Sequence, residues 1–458
     1  MHARRISPVD SHGLGERLRR GRLTRRDLLW LLGASSSAAA IASLQGCAVS
    51  PVSGEQILVG LTEDEERNID QELAPHQFSQ DLGAVQDPGL NTYLSSVGES
   101  IAARSHRPKM PYSYRVLNAN YVNAYTFPGG SMGVTRAIMT DMESEAELAA
   151  LLGHETGHVN ARHAAQRHGQ AMVAQVAVVG LTAASTASDS PWAGLVGIVG
   201  QIGASALLSS YSRDNEREAD ALGQEYMVRA GYPANGMIEL QQMLVSMHKR
   251  EPGLLETMFA THPMPAERLR TAKELAQSRY GTSARRPIQR ERYMDNTARL
   301  RALRPTIIDC QRGESALAAK KPGEGEKRLR QAVTRTPTDY ASNLLLARCL
   351  VSMKRHDEAR RFADRAQRIY PQEAQAARVG AVARMGLRDF DGAVQHLSRF
   401  ERLLPGDPGV DFLMAAALEG SGKRPQAAQR YARFVRTVRQ GPDAQHAMKR
   451  LKALGYAK

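Results

Sequence analysis

The stretch from Ser144 to His158 reads SEAELAALLGHETGH, and its spacing predicts a helix that carries chemistry. Ser144 and Glu147 are placed as in a capping box, and leucines then recur at helical spacing. Residues four apart lie on one face of a helix, so His154 and His158 can reach the same metal ion. Glu155, the next residue along the helix, can contact a water molecule bound to that ion. The stretch therefore predicts a hydrolytic metal centre.

A catalytic zinc needs three protein ligands and an open position for water, so a third ligand must come from elsewhere in the chain. Residues 212–220 read SRDNEREAD, and a helix would place Glu216 and Asp220 on one face. Taken alone, an acidic run of this kind is more typical of a solvated helix face. Glu216 is nevertheless the leading candidate for the third ligand.

Taken together, HETGH at 154–158 and EREAD at 216–220 resemble the HExxH and ExxAD motifs of one peptidase family. That family includes the HtpX heat-shock protease and the CAAX prenyl endopeptidases. The resemblance covers about residues 50–280, and residues 123–130 and 261–265 extend it. It implies one zinc ion held by His154, His158 and Glu216, with Glu155 as general base.

The resemblance also assigns roles to residues around the expected zinc. Asp220 would support a ligand or donate a proton. His262, in the sequence THPMP, would approach the zinc and hold the enzyme inactive. The alternative for His262 is a surface or helix-capping histidine. The second donor to the developing oxyanion stays open among Arg213, Tyr211 and His262.

A different pattern begins near residue 305, where helical spacing continues without any strand signal. Two markers then repeat in steps of 34 residues, one of proline and one of alanine: Pro337, Pro371, Pro405 and Ala359, Ala393, Ala427. This period resembles tetratricopeptide repeats, although Gly325 stands where the first alanine is expected. A plain helical bundle is the alternative. With these repeats, the chain most resembles the branch of beta-barrel assembly-enhancing proteases.

The N-terminal residues 1–46 have the layout of a signal peptide, with an arginine-rich stretch followed by an uncharged segment. Residues 24–29, TRRDLL, resemble the twin-arginine export motif, with ordinary secretion as the alternative. Residues 44–47, LQGC, resemble a lipobox in which Cys47 is acylated. The alternative is an uncleaved single-span anchor. The expected location is the periplasm, with a lipid anchor in the outer membrane.

The predicted fold class is α+β, with a mostly helical zincin-like peptidase domain at 47–285. A linker follows at 286–304, and an all-α solenoid of tetratricopeptide type at 305–458. Short strands at 112–117, 123–127 and 131–135 predict a small antiparallel sheet whose strand 131–135 is the edge that receives substrate. Residues 171–208 are interpreted as a mobile helical hairpin near the site.

The formal net charge of +14, most of it in the last third of the chain, bears on the expected partners. An exported chain meets anionic lipid or acidic unfolded polypeptides first, so nucleic acid is not expected. The outer-membrane assembly machinery would bind through the repeats. Cys310 and Cys349 either pair in an oxidising compartment or are two unrelated thiols.

Three hypotheses follow for function. The first is a zinc metalloendopeptidase of the bacterial envelope that degrades misfolded or stalled proteins, with a role in the quality control of outer-membrane protein assembly. The second is a chaperone or assembly factor that binds clients through its repeats and has a latent zinc site. The third, an intramembrane prenyl-protein protease, is disfavoured because several long apolar spans are lacking.

Overall fold

The structure is a computed structural model that describes residues 47–171, 211–250, 256–263 and 265–456. The predicted signal peptide at 1–46 and the predicted hairpin at 171–208, apart from residue 171, lie outside the described residues. Cys47 is the first described residue, and it is exposed. Among the described residues, none of the helices combines the length and the apolar character that a membrane span requires.

The N-terminal domain combines short strands with helices. Its elements in chain order are β1 Cys47–Val49, β2 Gln56–Leu58, α1 Glu63–Gln80, α2 Pro88–Ala102, β3 Ser113–Leu117, β4 Ala124–Thr126, β5 Ser131–Thr135, α3 Arg136–Asp141, α4 Glu145–Asn160, α5 Arg213–Arg229, α6 Asn235–Arg250, α7 Glu256–Thr261, α8 Pro265–Ser278, a 3₁₀ turn Gly281–Arg285 and α9 Arg290–Ala302. Residues 163–171 are also helical.

The three predicted strands all form, but their pairing differs from the prediction. The strand order is β3-β5-β4; β5 pairs parallel with β3 and antiparallel with β4. The sheet is therefore mixed, and Ser131–Thr135 is its central strand, so the prediction of an antiparallel sheet with this strand at the edge was wrong. The six-residue connection 118–123 is long enough to carry the chain past β5 before β4 returns beside it.

The helix α4 is the centre of the domain, because every one of its residues is buried. Ser144 caps its N-terminus by accepting a hydrogen bond from the backbone N–H of Glu147 at 3.2 Å. A helix buried on all sides must contact neighbours all round, and α4 packs against α2, α5 and α6. The predicted metal motif thus lies on the most buried of the described helices of the domain.

The C-terminal domain is a series of antiparallel helix pairs. Its helices are α10 Arg304–Ala318, α11 Pro322–Arg335, α12 Tyr340–Ser352, α13 His356–Ile369, α14 Gln375–Gly386, α15 Phe390–Leu403, α16 Pro408–Gly420, α17 Arg424–Thr437 and α18 Pro442–Ala453. The alanines of the predicted repeat are all fully buried. Gly325 stands where the repeat pattern expects an alanine, and a methyl group added there would lie 3.0 Å from Leu317. An alanine there would require the Leu317 side chain to shift.

The predicted linker 286–304 contains a packed helix, α9. Tyr293 is fully buried and donates a hydrogen bond to the carbonyl of Met139 at 2.6 Å. Arg292 forms an ion pair with the buried carboxylate of Glu145. These contacts attach α9 to the N-terminal domain.

The repeats are docked on the N-terminal domain through buried polar contacts. Arg136 forms an ion pair with Asp339 at 2.6 Å, and both side chains are buried. Glu373 accepts a hydrogen bond from Ser79 at 2.5 Å. The predicted alternative of paired cysteines is not seen, because Cys310 and Cys349 are free, buried thiols.

Candidate active site

The two histidines of α4 point the same ring nitrogen at one location. The Nε2 atoms of His154 and His158 lie 3.1 Å apart, and both side chains are buried. This is the geometry expected from residues one helical turn apart. Both Nδ1 atoms point away from this location and contact other groups, which leaves Nε2 as the metal-facing atom of each ring.

Glu216 is brought to the same location by α5. One of its carboxylate oxygens lies 3.3 Å from His158 Nε2, and the other lies 3.6 Å from His154 Nε2. The helix α5 begins one turn earlier at Ser212, which forms a capping box with Asn215. This cap and the close packing of α5 on α4 place Glu216 over the two histidines.

His262 completes the cluster. It directly follows α7, and its Nδ1 lies 3.0 Å from Glu216 Oε1 and 3.4 Å from His154 Nε2. One ligand atom from each of His154, His158, Glu216 and His262 can be chosen so that all four lie within 4.8 Å of one another. The structure therefore brings together the three predicted ligands and the predicted regulatory histidine.

The electrostatics of two predicted ligands, His158 and Glu216, match the forms that bind a metal. His262 differs, because burial would lower its pKa but the charges of Glu216 and Glu155 raise it above the ordinary value. Burial holds the pKa of His158 well below its usual range, so the imidazole is neutral. Burial alone would raise the pKa of Glu216, but the charges of His262 and Arg268 hold it well below its usual range. Neutral imidazoles and an ionised carboxylate are the ligand forms that zinc requires. The donor set of nitrogen and oxygen atoms fits zinc.

Glu155 lies beside the donor cluster and is almost fully buried. Its Oε1 is 3.9 Å from His262 Nε2. In the part of the chain that the structure describes, its Oε2 has no hydrogen-bond partner. Burial also raises the pKa of Glu155 above its ordinary value, and a carboxylate with a raised pKa is suited to taking up and returning a proton near neutral pH. A buried, unpartnered carboxylate oxygen next to metal donors fits an activated water.

Asp220 lies behind His154 rather than among the donors. Its Oδ1 is 2.9 Å from His154 Nδ1. Burial would raise its pKa, but the charge of Arg268 and the hydrogen bonds from it keep the pKa below the ordinary value. An ionised Asp220 can accept a hydrogen bond from His154, so of the two predicted roles the geometry favours ligand support over proton donation.

Arg268 was missed by the sequence analysis, although it contacts both acidic residues of the site. Its Nε and Nη2 atoms bind the Asp220 carboxylate at 2.6 and 2.7 Å, and its Nη1 lies 2.9 Å from Glu216 Oε2. It is almost fully buried. No signal in the sequence distinguishes Arg268 from Arg270 on the same helix.

The candidates for the oxyanion donor differ in their burial and in their distance from the donor cluster. The ring of Tyr211 stacks on that of His158, with centroids 3.9 Å apart. Burial raises the pKa of Tyr211 to about 12, so its hydroxyl keeps its proton. Arg213, by contrast, is exposed at the start of α5. His262 lies in the donor cluster itself.

Comparison with known proteins gives two family matches in this chain. Residues 88–276 match the model described as Peptidase family M48, and residues 316–383 match the model described as Tetratricopeptide repeat. The first match spans α4, Glu216 and His262, and the second lies within the helical repeats.

Several named proteins are similar to the chain. It is 30% identical over 217 residues to a beta-barrel assembly-enhancing protease of Yersinia pestis, covering 46% of this chain and 44% of the relative. It is 30% identical over 198 residues to the beta-barrel assembly-enhancing protease of Escherichia coli strain K12, covering 42% and 40%. It is 26% identical over 248 residues to the mitochondrial metalloendopeptidase OMA1 of Schizosaccharomyces pombe, covering 54% and 71%. The chain thus spans less than half the length of the first two.

Proposed function

We propose that the protein is a zinc-dependent metalloendopeptidase, since residues 88–276 match the model of peptidase family M48 and residues 316–383 match that of the tetratricopeptide repeat. The observation that carries this proposal is the buried carboxylate of Glu155. It lies beside a cluster of four metal donors, and one of its oxygens has no hydrogen-bond partner among the described residues. A structural zinc site closes its fourth position and needs no base of this kind.

His154, His158 and Glu216 would hold the zinc. When bound, zinc supplies positive charge that lowers the pKa of water and polarises a peptide carbonyl. Glu155 takes the proton that the attacking water loses and later delivers it to the nitrogen of the leaving amine. Asp220 keeps His154 in the tautomer whose Nε2 is free to bind. Of the two remaining oxyanion donors, Tyr211 is favoured, because its ring stacks on His158 and its hydroxyl is protonated, whereas Arg213 is exposed.

We assign a gating role to His262 in this proposal. It contacts Glu216 and His154 through Nδ1. A fourth protein ligand would exclude the catalytic water, so the enzyme would be latent until His262 moves away. This arrangement joins the protease and chaperone hypotheses, because a latent protease can bind clients without cleaving them.

The proposed substrates are unfolded or misassembled polypeptides held by strand addition. Of the two edge strands, β3 is already bridged at its outer side, by Leu117 to Ala84 and by a hydrogen bond from Val85 to Val116. The other edge strand, β4, packs against α4 and is the proposed substrate edge. Backbone pairing is largely independent of side chains, so no sharp cleavage consensus is expected.

The proposed location is the periplasm, with Cys47 acylated and anchored in the outer membrane after removal of residues 1–46. The relatives named beta-barrel assembly-enhancing proteases support a role in the assembly of outer-membrane proteins. In this proposal the basic repeats bind the assembly machinery. Mass spectrometry of the mature protein from its native host tests the anchor, since an unmodified N-terminus would contradict it.

The first experiment compares three proteins that start at residue 47 and carry Cys47→Ser. These are the otherwise unchanged chain, Glu155→Gln and His262→Ala, each assayed for bound zinc and for cleavage of casein. We expect zinc in all three, cleavage lost only in Glu155→Gln, and faster cleavage in His262→Ala. Removal of zinc by a chelator should abolish cleavage, and added zinc should restore it.

Two other outcomes would change the assignment. Bound zinc without cleavage in both the unchanged chain and His262→Ala would favour the chaperone hypothesis. Absence of zinc from all three would overturn the metal site.

A further inference from the structure

A further buried histidine, outside the predicted site, contacts the ligand His158 on the side away from the donor cluster. His163 Nδ1 lies 2.9 Å from His158 Nδ1, on the side of the ring opposite the donor cluster. His163 is fully buried, and its own Nε2 lies 3.3 Å from Glu218 Oε2. The three side chains form a line that starts at the donor cluster and ends at Glu218, whose side chain is 42% exposed.

The direction of the hydrogen bonds along this line follows from the chemistry of imidazole. If His158 binds a metal through Nε2, its proton must be on Nδ1, because a neutral imidazole has one N–H. This N–H then donates to His163 Nδ1, which must be an acceptor. His163 therefore holds its own proton on Nε2 and donates it to Glu218. Each ring nitrogen on this line is thus either a hydrogen-bond donor or an acceptor, and the alternative is excluded.

The backbone conformation after α4 places His163 beside His158. The helix α4 ends at Asn160, and Arg162 adopts a left-handed conformation with φ of 57°. Such a conformation is uncommon for a non-glycine residue. It is held by Arg162 itself, whose side chain binds Glu66 at 2.9 Å and the carbonyl of Leu61 at 2.8 Å. The chain turns sharply there, and His163 is folded back against His158.

We infer that His163, oriented by Glu218, is a positioning residue that fixes the tautomer and the ring orientation of the ligand His158. This inference rests on the proposed zinc site. Its counterpart is Asp220, which contacts the Nδ1 of His154 in the same way. Each of the two histidine ligands thus has its own partner. Loss of such partners typically weakens metal affinity about 10- to 100-fold.

Two amide substitutions test this inference, because they differ only in reach. His163→Asn places an acceptor oxygen near the position of Nδ1, whereas His163→Gln places its amide near Nε2 and leaves His158 Nδ1 without an acceptor. Zinc affinity is measured by competition with a chromophoric chelator. We expect His163→Gln to bind zinc about 10- to 100-fold more weakly than the unchanged chain, and His163→Asn to retain most of the affinity.

The absorption spectrum of the cobalt-substituted protein gives a second readout, because it reports ligand geometry directly. It should shift in His163→Gln and stay close to that of the unchanged chain in His163→Asn. The control is His168→Gln, five residues along the same helical segment and half-buried, which should leave both readouts unchanged. Thermal unfolding of the metal-free proteins separates a general loss of packing from an effect on the ligand.

Equal zinc affinity in His163→Gln, His163→Asn and the unchanged chain would overturn the positioning role while leaving the proposed protease intact. If neither His163 variant folds, Glu218→Gln on the half-exposed side chain replaces them, and unchanged affinity there would overturn the inference. If the unchanged chain binds no zinc, the proposed function fails first, and this inference fails with it.

Discussion

Arg268 binds two buried carboxylates of the same helix. Glu216 and Asp220 are one helical turn apart on α5, and both are buried. Burial would raise both pKa values, but the charges of His262 and Arg268 hold that of Glu216 low, and the charge of Arg268 does so for Asp220. Two ionised carboxylates in a site of low dielectric repel each other and lose hydration, unless a cation with matching geometry is fixed between them. The guanidinium provides this geometry, because it binds Asp220 with two donors and approaches Glu216 with a third nitrogen.

Replacing Arg268 with alanine should therefore destabilise the protein strongly. Removal of Arg268 leaves the buried Asp220 without its cation and leaves Glu216 with His262 alone, and breaking a buried charge pair costs about 3–5 kcal/mol. The free energy of unfolding in denaturant is the measurement. The control is Arg270→Ala on the same helix, whose pair with Glu274 is exposed and 3.9 Å long; it should cost less than about 1 kcal/mol. Equal effects of the two substitutions would show that Arg268 is not a charge partner of the site.

At the residue scale, the sequence predicted those site residues whose spacing carries information. His154, Glu155 and His158 follow from a single helical turn, and Glu216 and His262 followed from motifs matched to a family. Arg268 and His163 could not be found in this way. Arg268 and its partner Asp220 are 48 residues apart in the chain, and His163 and its partner Glu218 are 55 residues apart. Only the folded chain defines those pairs.

The metal site depends on how closely α4 and α5 approach each other. A methyl group added to Gly153 would lie 2.7 Å from the carbonyl oxygen of Gly223, and one added to Gly157 would lie 2.8 Å from that of Ala219. Glycine is thus required on α4 for the two backbones to come into contact. The distance from Glu216 to the two histidines is set by this contact.

Gly157→Ala should separate the two helices and weaken zinc binding. The obstacle is backbone, which cannot rotate away, and overpacking of this kind costs about 1–3 kcal/mol. Zinc affinity and unfolding free energy should both fall. The same substitution at Gly323, where an added methyl meets nothing within 4 Å, should leave zinc affinity unchanged. Unchanged zinc affinity in Gly157→Ala would mean that α5 can shift without moving Glu216.

The N-terminus of α4 contains a second acidic group with an unusual titration. Burial raises the pKa of Glu147 from its ordinary value of 4.5 to about 7. Between about pH 4.5 and 7, Glu147 therefore keeps its proton in the folded protein but has lost it in the unfolded chain. Because the folded state binds more protons in this range, the free energy of unfolding should fall as pH rises from about 4.5 to 7. The contribution is at most about 3 kcal/mol.

Glu147→Gln should remove this contribution, because a glutamine does not titrate. Unfolding free energies at pH 4.5 and 7 are the measurement, and the difference between the two should be smaller in the variant than in the unchanged chain. Burial also raises the pKa of Asp70 to about 6. Asp70 therefore makes the free energy of unfolding decline with rising pH in both proteins. An identical pH dependence in both proteins would mean that Glu147 ionises normally in the folded state.

At the element scale, the sequence predicted where the strands and helices are but not how the strands pair. The alternation of residues identified β3, β4 and β5, because the period is local. Pairing is decided by the connection between β3 and β4, where Asn118 donates hydrogen bonds to the carbonyls of Leu82, Gly83 and Ala84. Those contacts come from a segment more than 30 residues away in the chain, and no local pattern indicates them.

The two domains are joined by polar contacts that are buried at their interface. The 34-residue period predicted the repeats, because each repeat has the same local packing. Their attachment was not predictable, since Arg136 and Asp339 are 203 residues apart. Asp339 also caps α12 by accepting a hydrogen bond from the backbone N–H of Ser342 at 2.8 Å. One carboxylate thus stabilises a repeat helix and attaches it to the first residue of α3.

Arg136→Met should undock the repeats from the N-terminal domain. The substitution removes the positive charge that keeps the pKa of the buried Asp339 below its ordinary value against the effect of burial, and loss of one partner of a buried pair costs about 3–5 kcal/mol. A double-mutant cycle with Asp339→Asn measures the coupling, and hydrogen exchange of residues 340–352 reports whether α12 opens. The control is Arg378→Met, whose pair with Asp407 lies within the repeats and is partly exposed at 3.5 Å; it should cost less than about 1 kcal/mol. Additive effects of Arg136→Met and Asp339→Asn would show that the repeats are held by other contacts, of which the hydrogen bond between Ser79 and Glu373 is the next to test.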